Sequence, residues 1–172
     1  MKFDLTYKGC DVVTALKRIL GRDSGKLPAM ILWNDEPRSE VKLQRYLSSI
    51  NHCYFLRFGV ACSGAFILDE VYHQLTSRPC NYRIPDLKAR AISKLVRNTK
   101  RLHIFVVSNC HLIATDQISW LTGLMFEFDF RAKFIFLFHR DHLHKSIHSK
   151  GDKDARFQYF LKQIKRKYAI AG

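Results

Sequence analysis

The sequence predicts an α/β fold in three layers: a mostly parallel sheet of about four to five strands with helices on both faces. Three observations lead there. The strand-like runs are apolar on successive residues, as strands covered from both sides must be. Helix-period segments alternate with them, the pattern of crossover connections between parallel strands. The 172 residues are 47% hydrophobic and 26% charged, enough for one sizeable core. No repeat, low-complexity stretch or long linker divides the chain, so residues 1–172 are expected to form a single domain.

Val12 to Leu20 is the first expected helix, with Val12, Val13, Leu16, Ile19 and Leu20 near one face. Gly21 to Pro28 is a loop, and Met30-Ile31-Leu32-Trp33 a short apolar strand followed by a polar turn from Asn34 to Pro37. Ser39 to Ile50 has helical period through Leu43, Tyr46, Leu47 and Ile50, and a strand follows over about Cys53 to Phe58. Ser63 is placed to cap a helix through Leu75 that buries Phe66, Ile67, Val71 and Leu75. Pro85 and Asp86 open a further helix to about Asn98. Leu102 to Val107 is a strand, apolar except for His103. Thr115 or Asp116 caps a helix holding Ile118, Trp120, Leu121 and Leu124. Lys133 to Phe138 is the clearest central strand, and a last helix is expected from about Asp154 to Tyr168.

Charge is the strongest compositional signal. Twenty-nine Lys and Arg against fifteen Asp and Glu give a formal net charge of +14. A surface that positive attracts polyanions, nucleic acid above all, with an affinity that falls steeply with salt. The alternative is an acidic protein partner. The five cysteines, Cys10, Cys53, Cys62, Cys80 and Cys110, are scattered without a C-x-x-C pair, which suits buried free thiols better than disulfides or zinc. No apolar run approaches the roughly 18 residues needed to span a bilayer. Met1 to Thr6 has no apolar signal-peptide core, so a cytoplasmic protein without membrane attachment is expected.

The turn after strand Met30–Trp33 stands where a nucleotide-binding fold carries its phosphate loop. Such a loop needs glycines so that backbone N–H groups can wrap the anion, a Lys to neutralise it, and a Ser or Thr to hold magnesium. The eight positions read Asn34-Asp35-Glu36-Pro37-Arg38-Ser39-Glu40-Val41. Asn34 and Ser39 replace the glycines, Glu40 replaces the Lys with an anion, and Val41 replaces the magnesium-binding hydroxyl. Lys42 lies two positions on and about 200° around the helix, so it is no substitute. The nearby Gly21-Arg22-Asp23-Ser24-Gly25-Lys26 follows a helix rather than a strand and leads into Leu27, so it is a plain loop. A hydrolytic site also needs paired carboxylates at the end of a second apolar strand, one for magnesium and one to polarise water. Strand Leu102–Val107 runs instead into Ser108-Asn109-Cys110-His111. Both halves of the machinery are missing together.

These residues nevertheless resemble a family. Ile104 to Ile113, IFVVSNCHLI, is similar to the second nucleotide-site segment of AAA+ ATPases with its acids removed, and Thr115 to Leu121 resembles the helix behind it. Lys133 to Leu143, KFIFLFHRDHL, is similar to the next strand and its continuation in transposon and secretion ATPases. Met30 to Leu47 resembles their Walker A strand and helix. The closest type is the DNA-transposition regulators of the TniB, TnsC and MuB group, over roughly Leu16 to Ile147. The resemblance implies a P-loop NTPase-like sheet with strand Lys133–Phe138 between strands Met30–Trp33 and Leu102–Val107, here without a helical lid. It makes Asn34, Ser39, Glu40 and Val41 a degenerate Walker A position, and Ser108 and Asn109 a degenerate Walker B position. Members of that group assemble on DNA with ATP and recruit a transposase.

The remaining constellations divide into weak and promising. His139, His142, His144 and His148 gather with Asp141, but Arg140 and Lys145 oppose a cation, which favours a solvated basic loop over a metal site. No nuclease-like set of paired acids with a Lys stands out, and Ser63, Cys62 and Cys110 beside His111 form no nucleophile elbow. Two basic stretches suit a phosphate backbone: Lys88, Arg90, Lys94, Arg97, Lys100 and Arg101 with Arg78 and Arg83, and Lys162, Lys165, Arg166 and Lys167 with Lys145, Lys150, Lys153 and Arg156. The expectation is a pseudo-ATPase adaptor that binds no cofactor and docks on nucleic acid, DNA rather than RNA, and on a partner protein. An active AAA+ ATPase or a transposase is the candidate partner, and self-assembly is open. The rivals are a divergent nucleotide-binding ATPase or metal-dependent nuclease, and a basic protein–protein interaction module.

Overall fold

A computed structural model describes residues 7–10, 12–22, 29–33, 37–57, 64–112, 131–139, 162 and 166–170. The elements run β1 (Tyr7–Cys10), α1 (Val12–Arg22), β2 (Ala29–Trp33), α2 (Pro37–Ser48), β3 (Cys53–Arg57), α3 (Gly64–Thr76), α4 (Pro85–Arg97), β4 (His103–Ser108), a 3₁₀ turn (Cys110–Leu112), β5 (Ala132–His139) and β6 (Arg166–Ile170). Eight of the elements expected between Val12 and Phe138 are present with ends shifted by only a few residues, the ordinary uncertainty of fraying termini. The helix expected from Thr115 or Asp116 lies outside the described residues.

The strands form one sheet of six in the order β1-β6-β2-β5-β4-β3. Every neighbouring pair is parallel. The expected four to five strands thus become six, by β1 and β6. β6 also corrects the last helix: Lys162 is helical, but Arg166 to Ile170 is a strand, not a continuation to Tyr168. The helical count ran on because Tyr168 falls four residues after Ile164. Tyr168 and Ile170 also alternate at strand period, and pairing with β1 on one side and β2 on the other decides the outcome.

Alternation along the central strands sorts the core into two unlike faces. Ile104 and Val106 of β4 and Ile135 and Leu137 of β5 pack with Ala15 and Leu16 of α1 and Leu43 and Leu47 of α2. The opposite face is aromatic. Tyr54, Phe105 and Phe134 are register partners across β3, β4 and β5, with ring centres 5.1 Å apart at each step, and Phe136 continues the stack at 6.1 Å from Phe134. Such offset pairs add about 0.5–1.5 kcal/mol each beyond the area they bury.

β4 is buried at every residue from His103 to Ser108, and β5 from Ala132 to Phe138, so both faces of the sheet centre are covered. The crossover β2–α2–β3 runs toward β3, while β3–α3–α4–β4 returns, so the right-handed rule assigns α3 and α4 to the aromatic face. Helix α4 opens on Pro85, whose missing N–H costs nothing at a first-turn position, and it packs against α3. No helix among the described residues is long and apolar enough to cross a membrane.

Candidate functional site

In an open parallel sheet, ligands bind beyond the carboxyl ends of the strands where crossovers leave neighbouring strands in opposite directions. Here that place lies between β2 and β5. From β2 the chain goes through α2 toward β3 on one side, and from β5 it goes to β6 on the other. Trp33 and His139, the last residues of these strands, are register partners. β4 stands beside β5 and ends at Ser108. β2 ends at Trp33 and α2 begins at Pro37, with residues 34–36 outside the described residues.

Ser39 and Glu40 lie in α2, which begins at Pro37. Val41, next in the helix, is exposed and offers no hydroxyl. Asn34 lies outside the described residues. At the end of β4, Ser108 is fully buried and its Oγ has no hydrogen-bond partner, a loss of about 1–3 kcal/mol for a buried hydroxyl. Asn109 follows with φ 57°, a left-handed conformation that Asn tolerates better than most residues. It accepts the Leu112 N–H at 2.8 Å and so turns the chain sharply into the 3₁₀ turn. No carboxylate occupies either position.

Two of the thiols, Cys53 and Cys110, are unsuited to nucleophilic chemistry. Cys110 is buried and donates to the Val107 carbonyl at 3.1 Å, and burial raises its pKa. Burial likewise pushes the Cys53 thiol up to about 12. Both are therefore protonated at neutral pH and poor nucleophiles.

The basic residues separate on inspection. Lys88 is buried, with Nζ 2.6 Å from Oδ1 and 2.7 Å from Oδ2 of Asp69, so it is withdrawn from the expected nucleic-acid surface. Helix period explains this: Lys88 is four residues before Ile92, on the buried face of α4. Arg90, Lys94, Arg97, Lys100 and Arg101 are exposed. Arg90, Lys94 and Arg97 share the lining of a cavity of about 270 Å³ with Ser93 and Asn98. Lys162 is exposed, Arg166 and Lys167 lie on β6, and Lys165 is outside the described residues.

One constellation escaped the sequence pattern. At the amino edge of the sheet, buried His103 places Nε2 2.6 Å from Thr99 Oγ1 and Nδ1 3.3 Å from the Tyr54 hydroxyl. Thr99 donates its own proton to the Val96 carbonyl at 2.9 Å, so the neutral ring donates from Nε2 and accepts from Tyr54 at Nδ1. Burial and the neighbouring His52 ring hold the His103 pKa below its usual value. His52 meets His103 edge to face at 5.2 Å, with Arg101 Nη1 3.3 Å from its Nε2. Arg131 Nη1 ties the corner together by donating to the Arg97 carbonyl and to the Thr99 carbonyl. The sequence signal was the single polar residue inside an apolar strand.

Among the described residues no group of three or more His, Cys, Asp or Glu is arranged to hold a metal ion. Of the histidines weighed for that role, His139 closes β5, while His142, His144 and His148 lie outside the described residues. No family model matches the chain, and no curated protein matches it.

Proposed function

We propose that the protein is a pseudo-ATPase: a catalytically inactive, P-loop NTPase-like relative of the AAA+ ATPases in three layers. It serves as an adaptor that docks on nucleic acid and on a partner protein in a DNA-transposition, mobile-element or defence complex. One juxtaposition carries this reading. β5 lies between β2 and β4, the order the resemblance implies, and the crevice that order creates ends in Ser108 and Asn109 rather than in carboxylates. A buried, unpartnered hydroxyl neither neutralises magnesium nor polarises water. In the sequence, Glu40 stands where a phosphate loop carries its Lys, exchanging a cation for an anion.

The docking half of the reading draws on the charge. A net charge of +14 with an exposed cation stripe on α4 favours a polyanion, bound without sequence choice through its phosphates. Isothermal titration with Mg-ATP tests the first half: the expected result is no heat of binding, and micromolar affinity overturns it. The interaction-module alternative draws on apolar side chains left exposed around the start of α4, Tyr82, Ile84 and Leu87. Salt separates the two, because a phosphate-binding surface loses affinity steeply as salt rises.

A further inference from the structure

Two kinds of side chain stand exposed along α4 and just before it. Just before it Tyr82 is 45% exposed and Ile84 57%, and in its first turn Leu87 is 42% exposed, apolar and aromatic side chains left to solvent close together in the chain. From Leu87, steps of three and four residues lead to Arg90, Lys94 and Arg97, which therefore continue one stripe along the helix. The cations span a rise of about 10 Å. With Ser93 and Asn98 they line a cavity of about 270 Å³ to which no carboxylate among the described residues contributes. Among the described residues neither Arg90 nor Lys94 has an ion-pair partner, whereas Lys88 on the buried face is neutralised by Asp69. The cationic character is thus confined to the open side of the helix.

We propose that this surface binds single-stranded nucleic acid, with bases laid against Tyr82, Ile84 and Leu87 and phosphates held in the Arg90–Lys94–Arg97 cavity. The proposal rests on the nucleic-acid docking of the proposed function and adds the form of the ligand. A duplex hides its base faces inside the stack and would leave Tyr82, Ile84 and Leu87 facing water. An unpaired strand offers both an anionic backbone and π-faces, which match exposed cations on α4 and an exposed aromatic ring shortly before it in the chain, whatever the base sequence. An acidic peptide would match the charge but would not require the aromatic ring at Tyr82.

Fluorescence anisotropy on the full chain tests this with a labelled strand of about 20 nucleotides, longer than a typical single-fold site, and the duplex of the same sequence. The strand is expected to bind at least about tenfold more tightly than the duplex. Tyr82→Ala should weaken strand binding by about fivefold or more and leave duplex binding unchanged, while Tyr82→Phe retains the affinity. Arg90→Glu with Lys94→Glu should weaken both forms and flatten the salt dependence. All three side chains are exposed, so circular dichroism of the variants should match the parent. Equal affinity for both forms together with an unchanged Tyr82→Ala overturns the single-strand proposal and leaves nucleic-acid docking standing. Failure of both forms to bind at low salt overturns both, and leaves an acidic protein as the occupant.

Discussion

Lys88 Nζ stands 2.6 Å from Asp69 Oδ1, joining α4 to α3 through a cation whose side chain is only 8% exposed. A stripe of basic residues along one helix therefore contains one whose role is internal. Lys88→Met removes the cation and leaves Asp69, which is 42% exposed and can be rehydrated. The expected loss of stability is about 1–2 kcal/mol, below the 3–5 of a fully enclosed pair, because water screens the remaining carboxylate. Urea midpoints measure it. Oligonucleotide affinity should not change, and a variant that loses affinity while keeping its stability contradicts this assignment.

His103 makes stability depend on pH. Its folded-state pKa is depressed, so the unfolded chain binds the proton more readily. The stabilisation is present above the ordinary His value of about 6.5 and is lost as pH falls below it toward the folded value. Urea unfolding at about pH 8 and about pH 5.5 should show the native protein weakening at the lower pH. His103→Gln should reduce that difference. An unchanged difference would place the sensitivity elsewhere.

Phe105 lies 5.1 Å from both Tyr54 and Phe134 at the middle of the aromatic row. Phe105→Ala opens a cavity between two rings with no freedom to close it, and should cost about 3–5 kcal/mol. Phe105→Leu refills much of the volume and should cost clearly less. Chemical unfolding distinguishes them, and equal effects would mean that ring contact rather than volume holds the row.

Cys53 and Cys110 should resist alkylation in the native state. Burial raises both pKa values, so little thiolate forms at neutral pH. Iodoacetamide labelling followed by peptide mass mapping should modify Cys110 only after denaturant is added. Rapid native labelling would contradict the closed packing beneath the turn after β4.

Much of the sheet was legible because its central strands are apolar on consecutive residues: β4 and β5 announce themselves within a residue or two of their ends. The outer strands were not. Tyr7-Lys8-Gly9-Cys10 has neither length nor alternation, and Arg166 to Ile170 shares its apolar spacing with the helical pattern before it. Both exist because β6 supplies each flank with a partner, a tertiary effect that no local window contains. At the candidate site, the absence of carboxylates at Ser108 and Asn109 was readable from residue identity alone. The burial of Lys88 and the His103–Thr99–Tyr54 network were not, since each depends on which face of an element meets its neighbour.

The central claim is nucleic-acid docking without nucleotide. The most direct measurement is oligonucleotide affinity of the full chain at about 50 and 200 mM salt, each with and without Mg-ATP. Binding should fall steeply between the two salt concentrations and should not respond to Mg-ATP. Affinity that appears only with Mg-ATP, or no binding at the lower salt, would contradict it.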